Sequence, residues 1–237
     1  MRHSIHRAAR VAALTLTAAA CVLTASCASL SRPATDRQLF AIDPGAPPPT
    51  LARSRPPDNV LKTASADGPS LRVRRLQVAN PYAGSAFVYR TAGGAFRTDY
   101  YNGFIAPPAE LLTGAVIDWL SRAGGFATVT DAASGVPARY VLEGSVTALY
   151  GDYADRKAPK AVIRVKVFVL DEQARGPRLA FYKEYEATAP IRPASVSSLV
   201  DGWNKAARSV LEQLEADLPS RLAPETNEQQ AMNVDAR

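Results

Sequence analysis

The sequence predicts an α+β domain: a two-layer sandwich in which two amphipathic helices cover one face of a mainly antiparallel sheet. Three observations carry this. Two long segments, 139–150 and 160–169, alternate apolar and polar residues with period two. Two other segments, 107–123 and 195–218, repeat apolar residues at helical spacing. The elements run β, ββ, α, β strands, α, which one helical layer on one sheet satisfies economically.

The chain opens with a segment of a different kind. Residues 1–10 are basic, and residues 11–25 (VAALTLTAAACVLTA) form an uncharged apolar run. That run is too short for a comfortable membrane span and suits a signal-peptide core, so residues 1–26 are expected to be a leader. It ends in Leu23-Thr24-Ala25-Ser26-Cys27, which resembles a bacterial lipobox, with Leu23 one place earlier than the usual pattern. Cys27 is therefore the expected lipid anchor, carrying a covalent diacylglycerol and acyl group. Ordinary cleavage just after it and an uncleaved anchor are the alternatives. One acyl chain anchors marginally, and two or more anchor stably. Ala28 follows rather than the Asp that retains many lipoproteins in the inner membrane. The expected location is thus the periplasmic face of the outer membrane.

The rare residues sharpen this reading. Both histidines (His3, His6) and Cys21 precede Cys27, so a chain cleaved there keeps no histidine and one cysteine. One such chain has no Ser/His/Asp or Cys/His catalysis, no Cys/His metal site and no internal disulfide. The formal charge of +6 is partly leader: Arg2, Arg7 and Arg10 face no acid there, leaving 25 cations against 22 acids beyond it. That is too weak for nucleic acid.

Residues 27–69 read as a lipidated N-terminus and linker, because residues 28–69 hold eight of the 18 prolines. Within it, 38–43 (QLFAID) is apolar enough for a first strand. The globular domain is expected over 70–218. SLRVRRLQV (70–78) reads as a strand whose apolar face switches between Val73 and Leu76. FVYR and AFRTDYY flank Thr91-Ala92-Gly93-Gly94 as a hairpin. Pro107-Pro108 opens a helix striped by Leu112, Val116, Trp119, Leu120 and Ala123, and Gly124-Gly125 closes it. A short strand spans 126–129. The strand 139–150 places Tyr140, Leu142, Val146 and Ala148 on one face. In the next, Ala161, Ile163, Val165, Val167 and Val169 alternate with polar residues. A third, 178–187, lies nearer an edge. Helix 195–218 presents Leu199, Trp203, Ala206, Val210, Leu214 and Leu218, with Ser195 as N-cap and Pro219 as stop. The tail 219–237 is polar and expected to be disordered.

No catalytic or metal site is expected. Six acids (Asp99, Glu110, Asp118, Asp131, Glu143, Asp152) are the candidates for a carboxylate-based hydrolase, and none lies in a catalytic motif. Five of the nine tyrosines fall in the clusters Tyr89-Arg90, Tyr100-Tyr101 and Tyr150-Gly151-Asp152-Tyr153. Tyr and Arg are enriched in protein interfaces, so Tyr89, Arg90, Tyr100 and Tyr101 are the candidate partner-binding residues.

Several short runs, in order and spacing, resemble the ABC-type transport auxiliary lipoprotein family: Val88-Tyr89-Arg90; Tyr100-Tyr101-Asn102-Gly103-Phe104; Ala106-Pro107-Pro108 leading into Leu111-Leu112; Gly125-Phe126 before Val129; Tyr140-Val141-Leu142-Glu143-Gly144 ending in Leu149-Tyr150; and Leu199 with Trp203. Family members often carry Trp near the place of Phe104. The resemblance covers about residues 38–218 and implies a two-layer α/β sandwich. It further implies a non-enzymatic outer-membrane lipoprotein, similar to paraquat-inducible protein C-type components. Its partner would be the mammalian-cell-entry-domain substrate-binding protein of an ABC transporter for lipids or hydrophobic compounds, and no cofactor beyond the lipid on Cys27 is implied. A structural lipoprotein of outer-membrane assembly is the alternative, and a carboxylate-based periplasmic hydrolase the remote one.

Overall fold

The computed structural model describes residues 36–48, 68–173 and 176–222, apart from the side chains at 219–221. The leader, Cys27, most of the linker and the tail beyond Leu222 lie outside the described residues. The elements below belong to one unit, residues 38–237. In chain order they are β1 (Gln38–Phe40), β2 (Ser70–Val73), β3 (Gln77–Val78), β4 (Ala86–Arg90) and β5 (Phe96–Phe104). Then follow α1 (Pro108–Ala123), β6 (Thr128–Asp131), β7 (Tyr140–Asp152), β8 (Lys160–Asp171), β9 (Arg178–Pro190) and α2 (Val196–Leu222).

Strand β7 is the spine. Along one edge β8 pairs with it antiparallel from Tyr140↔Asp171 to Asp152↔Lys160, and β9 continues antiparallel on β8. The other edge serves three short strands in succession, all parallel: β2 beside Tyr140–Leu142, β3 beside Ser145–Val146, and β4 beside Gly151–Asp152. Beyond these, β6 runs parallel to β2, β5 antiparallel to β4, and β1 parallel to β5. The nine-stranded sheet is therefore mixed, which corrects the expectation of a mainly antiparallel one. The antiparallel pairs are hairpins between sequence neighbours. Each parallel pair is joined by a long stretch carrying other elements, which parallel geometry requires.

A bulge between Val146 and Ala148 puts Thr147 out of register with β8. The core face of β7 therefore passes from Val146 to Leu149, and Ala148 turns to the other side, against the simple alternation. The apolar switch between Val73 and Leu76 is real, because it separates β2 from β3.

Both helices contribute to one hydrophobic cluster with the sheet. Pro108 stands in the first turn of α1, and Gly124 ends the helix in the left-handed region at φ 76°. At α2 the Ser195 Oγ accepts the Ser198 N–H at 3.1 Å, an N-cap as expected. The helix then continues past Pro219 to Leu222, beyond the expected stop. Leu222 is buried, and its carbonyl accepts the Tyr140 hydroxyl at 3.1 Å. Those gains offset a helix-interior proline, which costs about 3 kcal/mol. A Cβ at Gly202 would lie 2.8 Å from the Ala161 Cβ, so α2 rests directly on β8. Trp203, fully buried, meets Phe87 and Phe104 with centroids at 4.9 and 5.2 Å. Between α1, α2 and the sheet lies an apolar cavity of about 30 Å³, lined by residues such as Leu112, Val116, Ile163 and Val210.

Candidate functional site

The β4–β5 hairpin turns at Ala92–Gly94, where Gly93 and Gly94 take φ of 78° and 81°. Its register pairs Arg90 with Phe96, Tyr89 with Arg97 and Val88 with Thr98, then jumps to Ala86 with Gly103. Phe87 alone therefore spans Asp99 to Asn102. The Asp99 carboxylate organises this wide bulge. One oxygen accepts the backbone N–H groups of Tyr101 (2.8 Å) and Asn102 (3.0 Å). The other accepts the Asn102 side-chain amide (2.9 Å) and the Tyr89 hydroxyl (2.5 Å). Burial alone would raise the Asp99 pKa, but these four bonds to the charged form outweigh it and hold it below its usual value.

The hairpin sends the four candidate residues to three environments. Tyr89 points inward, with its ring edge-on to Tyr153 at 5.6 Å. Its hydroxyl is held far above its usual pKa by burial and then by Asp99. Tyr89 is a half-buried brace. Arg90 lies across the β4–β7 pairing and grips Asp152, Nε to Oδ1 at 3.1 Å and Nη2 to Oδ2 at 2.5 Å. Asp152 is buried, and Arg90 is the main cause of its lowered pKa. The guanidinium also sits 5.6 Å from the Tyr150 ring centroid. Tyr150 in turn stacks on Tyr82 (5.9 Å) and meets Phe96 edge-on (5.4 Å). Phe96 is half exposed. Tyr100 and Tyr101 project from the bulge, edge to face at 5.2 Å.

Sequence reasoning found the Tyr89-Arg90 and Tyr150–Tyr153 clusters separately. The parallel pairing of Tyr89 with Gly151 and Arg90 with Asp152 merges them into one. Gly151 permits the approach, since a Cβ there would meet Tyr153, Leu199 and Tyr89 at 2.9, 3.1 and 3.2 Å. The bracing role of Asp99 was missed. Its signal was an Asp two residues before a turn amide, the pattern of an Asx turn. Tyr82 and Phe96 were missed as parts of an outer aromatic cluster because they lie far from Tyr150 in sequence.

The other acids are also engaged. Glu110 pairs with Arg75, Asp118 with Arg122 and Glu143 with Arg74. Asp131 caps its own turn through the amides of Ala133 and Ser134. On the same sheet, Arg164 pairs with Glu186, and Phe168 lies against Tyr182 at 4.9 Å. Among the described residues no three His, Cys, Asp or Glu side chains are placed to hold a metal, and no helix is long and apolar enough to cross a membrane.

No protein-family model matches the chain. No curated protein matches it either. Solved structures do. A Xanthomonas campestris protein of the DUF330 family is 16% identical, over 76% of this chain and 90% of that one, with a TM-score of 0.57. An uncharacterized protein is 17% identical, over 65% and 92%, with a TM-score of 0.51. Lipoprotein GNA1162 from Neisseria meningitidis is 13% identical, over 63% and 99%, but its TM-score of 0.28 is too low to bear on fold or function. At these identities the first two likenesses show a shared fold alone.

Proposed function

We propose that this chain is a lipid-anchored, non-enzymatic envelope protein, an auxiliary component of an ABC-type transport system for lipids or other hydrophobic compounds. Cys27 carries the anchor at the periplasmic face of the outer membrane. The folded domain docks on the system's cell-entry-domain substrate-binding protein. The observation that best supports docking is the Phe96–Tyr82–Tyr150 cluster with Arg90 fixed over it by Asp152. Large aromatics and a pre-ordered guanidinium on a rigid sheet lose little entropy on binding, which is what interface hot spots require. The reading also rests on the order of motifs described above and on acids committed to structural partners.

Two experiments test it. Cys27→Ser should release the protein from membranes and abolish acyl labelling; unchanged fractionation and labelling would remove the anchor from the reading. Phe96→Ala should weaken co-purification with the cell-entry-domain protein by about 30-fold, the equivalent of a hot-spot loss near 2 kcal/mol. Normal co-purification of that protein with Phe96→Ala would exclude this surface. Its absence from wild-type preparations would exclude the partner.

A further inference from the structure

The end of the sheet where β2, β6 and β7 begin carries a polar pocket, at the opposite end of β7 from Arg90 and Asp152. It has a volume of about 390 Å³, and Ser70, Arg72, Pro137, Arg139, Glu172 and Gln173 contribute to its lining. Two of these residues carry a buried donor without a partner, Arg72 Nε and Arg139 Nε. The Thr130 hydroxyl, across from Arg72 in the β2–β6 pairing, is orphaned in the same way. Among the described residues no other buried side-chain nitrogen or oxygen lacks a partner. Buried polar atoms are almost always paired, and those that are not need an explanation such as bound water or a bound ion. The two guanidinium groups are fixed in place. Arg72 Nη2 donates to the Val136 carbonyl at 2.9 Å. Arg139 Nη2 donates to Asp171 at 3.2 Å, and its guanidinium lies 4.9 Å from the Tyr140 ring centroid. The rim is tied together by backbone: the Arg139 N–H donates to the Ser70 hydroxyl at 3.0 Å, and the Glu172 N–H to the Arg139 carbonyl at 2.9 Å. The Glu172 carboxylate stops 3.9 Å from Arg72 Nη1, too far for a hydrogen bond. Of the three Arg72 nitrogens, only Nη2 is hydrogen-bonded among the described residues.

We infer that this pocket binds an oxyanion between Arg72 and Arg139, the carboxylate or phosphate group of a soluble molecule or of a lipid head. Guanidinium donors come in planar pairs that match the oxygens of such a group. An oxyanion brings several acceptors to one point, so small rotations of the two side chains give each Nε a partner. The Thr130 hydroxyl, able to donate or accept, turns to the same group. The space is many times the roughly 30 Å³ share of one water, so it takes the anionic group together with part of the molecule that bears it. Glu172 competes with the ligand for Arg72, and removal of its charge should favour binding. The site uses none of the residues of the Phe96–Tyr82–Tyr150 cluster and does not depend on the anchor at Cys27.

The test follows the arginine Nε–H resonances of the nitrogen-15-labelled full chain, in neutral detergent at constant ionic strength. Inorganic phosphate, acetate and chloride are titrated in turn. Phosphate or acetate should shift the Arg72 and Arg139 signals saturably, and chloride should not. Arg72→Gln should weaken binding of the responding anion, read at Arg139, by roughly 10- to 100-fold, the loss of a charged hydrogen bond. Glu172→Gln should tighten it several-fold, because a like charge leaves the pocket. Signals that respond to neither anion, or to chloride equally, overturn the inference. So do Nε–H groups that exchange magnetisation with bound water and ignore both anions, which makes ordered water the only occupant. Unchanged affinity in Arg72→Gln also overturns it. If that variant does not fold, Glu172→Gln decides: its carboxylate makes no hydrogen bond among the described residues, so the fold survives its loss, and unchanged affinity overturns the inference. Glycerol 3-phosphate against dihexanoylphosphatidic acid, or acetate against octanoate, distinguishes the sources. Binding of either form supports the site, and tighter binding of the lipid form assigns it to a lipid head.

Discussion

Removing the Asp99 carboxylate should cost about 2 kcal/mol, most of it through one hydroxyl. The carboxylate accepts four hydrogen bonds, and the donors differ in what replaces it. The amides of Tyr101 and Asn102 lie at the surface, where water can take over, so each contributes a few tenths of a kcal/mol. The Tyr89 hydroxyl is packed beside Tyr153 and loses its acceptor, at a cost of about 1–3 kcal/mol. For a domain of this size, 2 kcal/mol lowers the melting temperature by roughly 4–8 °C. Asp99→Ala, Tyr89→Phe and the double variant, followed by thermal and urea unfolding, form a cycle that isolates the shared bond. Tyr89→Phe should cost about 1 kcal/mol in the native background and almost nothing beside Asp99→Ala. The pH dependence has a definite sign. Because folding lowers the Asp99 pKa, its contribution is present above the ordinary unfolded value near 3.9 and is lost as pH falls through the lower folded value. The gap between native chain and Asp99→Ala should therefore be complete at neutral pH and close below about pH 4. Additive costs in the cycle, or equal melting temperatures at pH 7, would refute the bracing role.

Three further outcomes follow from the same structure. Arg90→Met leaves Asp152 buried without its main partner, and burial then pushes that carboxyl up. The variant should lose about 2 kcal/mol at pH 7 and recover part of the deficit as pH falls through the raised pKa, seen in urea midpoints against pH. Gly202→Ala improves helix propensity yet should destabilise by about 1–3 kcal/mol, because the added methyl meets Ala161 at 2.8 Å; a higher melting temperature would show that α2 can lift off the sheet. Trp203→Ala empties the contact with Phe87 and Phe104 and should cost about 3–5 kcal/mol by denaturant titration, whereas Trp203→Phe should cost clearly less.

Much of the fold was legible because it depends on local periodicity. The stripe Leu112–Ala123, the left-handed Gly124, the Ser195 cap and the alternation along β8 all appear where residue spacing puts them. The β4–β5 hairpin was legible too, since its two strands are neighbours in sequence. What failed was long-range and geometric. The parallel pairings of β2, β3 and β4 along β7 made the sheet mixed, and no local pattern encodes which strand a distant segment will join. The bulge at Thr147 moved Ala148 off the core face because an extra residue is invisible to strict alternation.

For function, the sequence by itself determined which chemistry is available. It placed histidine only before Cys27, gathered tyrosine into a few clusters, and set a candidate anchor nine residues before the first described position. Tertiary structure decided how those tyrosines are used. Side chains adjacent in sequence alternate across a strand, so Tyr89, half-buried, bonds Asp99 while Arg90, its neighbour, reaches the opposite face and Asp152. Only the pairing of β4 with β7 brought Tyr150 and Phe96 around that arginine, and only the bulge held Tyr100 and Tyr101 in solvent. Composition limits what a surface can do; packing against partners distant in sequence settles which side chains remain to form one.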